Sequence, residues 1–186
     1  MDMEFCLFDT ETTGLLKPSP AGLIEQPEII EIYCAVIDEN FNFLREYESF
    51  FKPLIPIDSE IERLTGISNE MVSSSPSFLK CYPEFSKFMT GVDVLVAHNI
   101  SFDTSMLANE LLRIDKLINF PWPRHHICTV QASKQIKGHR LKLSELCELA
   151  GKPLKDAHRA RNDVRGLYNA FKMLVDNNYI DIKRLG

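Results

Sequence analysis

Phe5-Cys6-Leu7-Phe8-Asp9-Thr10-Glu11-Thr12-Thr13-Gly14 decides how this chain is read. Four apolar residues run into two carboxylates spaced two apart, and then into a glycine that signals a turn. A short apolar run bounded by turn residues predicts a buried strand. Side chains on a strand alternate between its faces, so Asp9 and Glu11 share one. Two like charges held side by side repel, and the pKa of one is expected to rise. A cation relieves that repulsion, and hard divalent ions prefer oxygen ligands. A polar strand end followed by a turn is the plainer account, and this stretch alone does not separate the two.

Outward from it, the strand begins almost at Met1, which leads us to expect nothing structured before it. Past a loop containing Pro18, Pro20 and Pro27, Ile29 to Ile37 is apolar and β-branched, broken by Glu31, and predicts a second strand. Asp38-Glu39-Asn40 reads as a hairpin turn and Phe41 to Phe51 as a third strand, giving an antiparallel meander. Short helices are expected over Ser59 to Leu64 and, inward through Leu143, Leu146 and Leu149, over Leu141 to Ala150. Pro76 to Met89 carries Phe78, Leu79, Tyr82, Phe85 and Phe88-Met89 at helical spacing. Val92 to Ala97 predicts a buried fourth strand, with Ser101 as cap of a helix bearing Met106, Leu107, Leu111 and Ile114. Ile127 to Val130 suggests a short fifth strand, and a final helix runs from His158 or Ala160 to Val175. Strands first, then strands alternating with helices, predict an α/β fold with a mixed five-stranded sheet in one domain, residues 1–186.

The 186 residues are 45% hydrophobic, enough for a packed core, and the net charge of −5 argues against a simple electrostatic binder of nucleic acid. Excess carboxylate is still compatible with an enzyme that holds cations. Five cysteines, none at CxxC spacing, argue against a disulfide framework or zinc finger. With no signal peptide and no stretch near the ~20 apolar residues that span a bilayer, the expectation is a reduced, soluble, cytoplasmic protein without a membrane partner.

Two more carboxylates stand where core residues belong. Ala160, Val164, Leu167, Phe171 and Leu174 make the apolar stripe of the last helix, and Asp163 falls on it. Asp103 shares a helix face with Leu107 and Leu111. Ionised carboxylates are rarely buried unless paired or metal-bound. A first-turn position, where the helix dipole favours acids, is the ordinary explanation for each. Their conjunction with Asp9 and Glu11 points instead to one cleft, since strand and helix ends are where an α/β sheet gathers a site. Two divalent ions clamping a phosphate would make four convergent carboxylates tenable. His158 lies five residues before Asp163, roughly 140° around a helix at about 100° per residue, so it belongs to the segment leading in. An imidazole there suits the role of a base for water at neutral pH.

These residues resemble the DnaQ-like, DEDDh-type 3′→5′ exonucleases, which have a ribonuclease H-like fold. Phe8-Asp9-Thr10-Glu11-Thr12-Thr13-Gly14 looks like the first motif of that family and Val96-Ala97-His98-Asn99-Ile100-Ser101-Phe102-Asp103 like the second. Ala157-His158-Arg159-Ala160 followed by Asp163 looks like the third, and Leu64-Thr65-Gly66-Ile67-Ser68 is similar to a secondary signature. The resemblance implies that Asp9, Glu11 and Asp163 hold the tighter of two metal ions, with Asp9 shared and Asp103 helping to place the second. The ions implied are Mg²⁺, with Mn²⁺ able to substitute. It further implies His158 as the base, Thr12, Thr13 and Leu15 lining the terminal-nucleotide pocket, and His98, Asn99 and Phe102 near phosphate or sugar. The product would be a nucleoside 5′-monophosphate.

Many relatives carry an Asp-Thr pair where this chain has Cys128-Thr129; Ile127-Cys128-Thr129 is similar to the exodeoxyribonuclease X branch. The chain stops soon after the last helix, which leads us to expect no tether to a replicative polymerase. For substrate contacts, Lys134, Lys137, His139, Arg140 and Lys142 form one basic cluster, and Arg159, Arg161 and Arg165 flank the proposed base. Solvated faces are the ordinary fate of such clusters. The expected partner is single-stranded DNA or a DNA 3′ end. RNA trimming by the same chemistry and an inactive nucleic-acid-binding module are the alternatives, because nothing in the sequence reads a 2′-OH.

Overall fold

A computed structural model describes residues 3–185. The expected mixed sheet is present. β1 (Phe5–Thr12) lies at its centre, with β2 (Ile29–Ile37) and β3 (Phe43–Phe50) on one side and β4 (Val94–Ala97) and β5 (His125–Cys128) on the other, in the order β3-β2-β1-β4-β5. The β1-β2-β3 half is the antiparallel meander, whereas β4 and β5 run parallel to β1. Asp38 makes the β2–β3 turn, its Oδ1 accepting from Asn40 N and Asn42 N at 2.8 Å each.

The alternation of β1 sorts the core into two layers. Cys6 and Phe8 pack with α3 (Phe78–Met89) and α4 (Ile100–Arg113), around Phe85, Met106, Leu107 and Leu111. Phe5 and Leu7 pack with Val164, Leu167 and Phe171 of α7 (Ala160–Asp176). Both faces of the strand are thus buried, as the unbroken apolar run before Asp9 requires. The remaining helices are α1 (Ser59–Thr65), α2 (Asn69–Val72), α5 (Thr129–Lys137) and α6 (Leu143–Leu149), the last two packing with α7.

Several boundaries differ from expectation. The fifth strand is His125–Cys128, and Thr129 instead opens α5, an element whose weak apolar pattern gave no helical signal. Ser101 does not cap α4: it lies inside the helix, and the N-cap is Asn99, in the left-handed region at φ 68°. Asn reaches that conformation more readily than most residues, and it lets the chain turn sharply out of β4. Leu149, expected inward, is exposed, and so is Leu79, because each falls off the buried side of its helix. No helix among the described residues is long and apolar enough to cross a membrane.

Candidate active site

The face-sorting of β1 sets up the site. Asp9 and Glu11 continue the row of Phe5 and Leu7, so they emerge toward α7 where the apolar packing ends. Asp163, in the first turn of α7, faces them. One carboxylate oxygen from each of Asp9, Glu11 and Asp163 lies within 4.8 Å of the others, close enough for one cation to bind all three. Asp103 comes from the opposite layer. It is 3% exposed, and its Oδ1 accepts from the hydroxyl of Thr10 at 2.9 Å. Thr10 lies on the α4 face of β1, between the two acids that face α7, and so links Asp103 to the strand that carries them.

The electrostatics follow from this crowding. Burial, and then the charges of Asp103, Asp163, Glu11 and Glu31, hold the Asp9 carboxyl well above the usual carboxylate range. Burial and then Asp163 push Glu11 up to about 8. Burial raises Asp103 to about 7, although the Thr10 hydrogen bond opposes it, and burial also raises Asp163. Carboxylates so disposed toward protonation are expected where a divalent charge balances them. All are hard oxygen donors, which fits Mg²⁺ or Mn²⁺ better than a soft metal.

His158 sits in the segment before α7, as its offset from Asp163 requires. It is exposed, at φ 66°, and its backbone N–H donates to Asp163 Oδ2 at 3.0 Å. Asp156, two residues earlier, is also left-handed at φ 48°. His158 lines a cavity of about 540 Å³ with Asp9, His98, Asp163, Lys142 and Leu154. His98 Nδ1 lies 2.9 Å from Thr129 Oγ1, and burial lowers the His98 imidazole to about 4, so it is neutral near pH 7.

The other residues implied by the resemblance, Thr12, Thr13, Leu15, Asn99 and Phe102, do not line this cavity. Thr12 Oγ1 donates to Gly14 O at 2.7 Å, and Thr13 Oγ1 accepts from Glu28 N at 2.9 Å, so both hydroxyls fix the turn after β1. Leu15 beyond it is 81% exposed. Asn99 is exposed, and Phe102 packs against the α3–α4 core layer.

Glu31 is the feature that sequence reasoning registered only as an interruption. It lies directly across from Glu11 in the β1–β2 register and is 0% exposed. Its carboxylate accepts from Arg159 Nε and Nη2 and from the backbone N–H of Ala160. Arg159, the N-cap residue of α7, supplies no side-chain cap, so Glu31 does that work from a neighbouring strand. A charged residue inside an otherwise apolar β-run was the available signal. Arg161 pairs likewise with Glu48 and Glu46. Two of the three arginines read as substrate contacts are therefore committed to the protein itself.

The family profile places the chain in the class of nucleases, hydrolases of phosphodiester bonds. It belongs to the RNase_T family, described as exonuclease, whose profile matches residues 6–171. The chain is 33% identical over 186 residues to the DNA polymerase III PolC-type of Caldanaerobacter subterraneus subsp. tengcongensis, covering 98% of this chain and 12% of that protein. It thus spans only a small part of that relative's length. Among solved structures, exonuclease X in complex with 5′ overhanging duplex DNA superposes with a TM-score of 0.68 at 19% identity, covering 97% of this chain and 96% of that one. The nuclease domain of 3′hExo, described as a DEDDh family member bound to rAMP, superposes with a TM-score of 0.76 at 15% identity, covering 95% and 93%.

Proposed function

We propose that this chain is a metal-dependent 3′→5′ exonuclease that releases nucleoside 5′-monophosphates from DNA ends. The observation that carries the reading is the approach of Asp9, Glu11 and Asp163, from the first strand and the last helix, to within 4.8 Å. Asp9, Glu11 and Asp163 would hold one divalent cation, and Asp103, steadied by Thr10, would help hold a second through water. When bound, Mg²⁺ or Mn²⁺ lowers the pKa of the attacking water and offsets charge on the phosphate.

The chain's own groups do the remaining work. His158 accepts the proton of the water that attacks phosphorus. A new P–O bond forms, the bond to the 3′-oxygen of the preceding nucleotide breaks, and that oxygen leaves as the new 3′-hydroxyl once protonated. The left-handed turn at His158 and its N–H bond to Asp163 keep base and metal ligand in register. Thr12, Thr13 and Leu15 would contact the terminal nucleotide, and His98, Asn99 and Phe102 the phosphate or sugar. Neutral His98 adds no positive charge there. DNA is favoured over RNA because the sequence relative carries a DNA polymerase name.

Digestion of end-labelled single-stranded DNA, duplex DNA and RNA, each with Mg²⁺, Mn²⁺ or EDTA, tests the proposal. Stepwise loss from the 3′ end of DNA, abolished by EDTA, is expected. Cleavage that persists in EDTA, or starts from the 5′ end, overturns it.

A further inference from the structure

The ion pairs of this protein divide its cations unevenly. Arg45, Arg113, Arg159, Arg161, Lys172 and Arg184 each have a carboxylate within 4.0 Å. Lys134, Lys137, Arg140 and Lys142 have no such partner among the described residues, and with His139 all are exposed. They occupy one continuous segment: the last turn of α5, the left-handed Gly138 that ends it, and the return into α6. The segment is anchored from beneath. Leu141 is buried, and its N–H donates to the Ser133 hydroxyl at 3.0 Å, so the flanking cations are turned outward on a fixed backbone. At its end, Lys142 lines the same cavity as Asp9, His98, His158 and Asp163.

We propose that Lys134, Lys137, Arg140 and Lys142 form the track along which the phosphodiester backbone of a single strand reaches the acid cluster. The inference rests on the exonuclease reading of that cluster and adds where the substrate lies. A chain of net charge −5 needs a local cationic surface to hold a polyanion. Arg159 and Arg161 cannot supply it, because Glu31, Glu46 and Glu48 hold them. A rival surface near the acids is Lys152, Lys155 and Arg165. These line a separate cavity of about 310 Å³ beyond Leu154, with the Asp156 carboxylate among them. Among the described residues, only the α5–α6 segment places a lysine or arginine in the cavity of the acids themselves.

The test is binding of a 5′-fluorescent single strand of about twenty nucleotides with a 3′-phosphorothioate linkage, in Ca²⁺ to suppress turnover, from about 50 to 200 mM salt. The chains compared are the unaltered protein, a Lys137→Ala/Arg140→Ala variant and a Lys152→Ala/Lys155→Ala variant. The first variant should weaken binding roughly 5-fold per cation near 0.1 M salt and flatten the log–log salt dependence by about 0.7 per cation. The second should stay within about 2-fold. The same loss is expected on a ribo-oligomer, since the phosphates are shared; a loss confined to one sugar overturns a backbone track. An unchanged salt slope in the first variant, or a larger loss in the second, also overturns it. Hydrolysis of the 4-nitrophenyl ester of thymidine 5′-monophosphate by the unaltered chain reports the acid cluster alone. Ester turnover with an unchanged slope removes the track and leaves the exonuclease reading. No ester turnover with a flattened slope removes that reading and leaves a binding surface.

Discussion

The Glu31 carboxylate and the Arg159 guanidinium meet at two points, 3.2 Å at Nε and 3.1 Å at Nη2, joining the second strand to the residue just before the last helix. The pair is lopsided: Glu31 is wholly buried, whereas the Arg159 side chain is about a third exposed. Removing the arginine would strand a buried charge beside Glu11. Arg159→Ala should therefore cost about 3–5 kcal/mol, a fall in Tm on the order of 10 °C. Glu31→Gln keeps an acceptor for Ala160 and leaves a partly solvated cation, so it should cost about 1 kcal/mol. Thermal unfolding in EDTA reads both. The reverse order would mean that Glu31 does not depend on Arg159.

Asp9→Asn should abolish hydrolysis and yet raise the Tm of the metal-free protein. It removes a carboxylate whose ionisation is opposed by burial and then by the charges of Asp103, Asp163 and Glu11. The Tm increase that Mg²⁺ gives the unaltered chain should disappear in the variant. Retained Mg²⁺ stabilisation would show that the ion binds elsewhere.

His158→Ala should lower turnover about 10²–10⁴-fold while leaving the Mg²⁺-induced Tm shift in place, because its tie to Asp163 is through the backbone N–H. A full rate in this variant would remove His158 as the base.

Thr10→Val deletes the hydroxyl that donates to Asp103. Outer hydrogen bonds of this kind typically contribute 10- to 100-fold in metal affinity. The Mg²⁺ concentration for half-maximal hydrolysis should rise by about 10-fold or more. An unchanged requirement would mean that Asp103 is held by packing alone.

In the absence of metal, folded Glu11 lies near 8 and Asp103 near 7, against unfolded values of ~4.3 and ~3.9. The folded state binds more protons between these limits, so stability is greatest below about pH 4 as far as these groups are concerned and declines as pH rises toward 8. Tm in EDTA should fall from pH 5 to pH 8, and the increment from Mg²⁺ should grow over the same range. A pH-independent increment would contradict the carboxylate assignment.

Much of this architecture is legible in the chain, because periodicity carries it. Residues 5–12 announce a buried strand by composition and place Asp9 and Glu11 together by parity; Asp163 betrays itself by interrupting a buried stripe. What escaped was whatever depends on partners distant in sequence. Thr129 begins a helix rather than ending a strand, because packing against α7 and the link to His98 outweigh a short β-like run. The inward role of Glu31 is settled by Arg159, 128 residues away, and no local pattern encodes it. The same pairing removed Arg159 from the surface cations that sequence alone would count.

The two-sided alternation of β1 has an evolutionary corollary. Point changes at positions 9 or 11 silence the acids while the hydrophobic sets on either side remain intact, so an inactive but well-folded descendant is one substitution away. Inserting or deleting a single residue between Phe5 and Asp9 has no such halfway outcome: it exchanges the two oily surfaces and turns the acids toward the wrong helix in the same step. Drift in this strand is thereby confined to substitution, and reading frame and chemistry are inherited together.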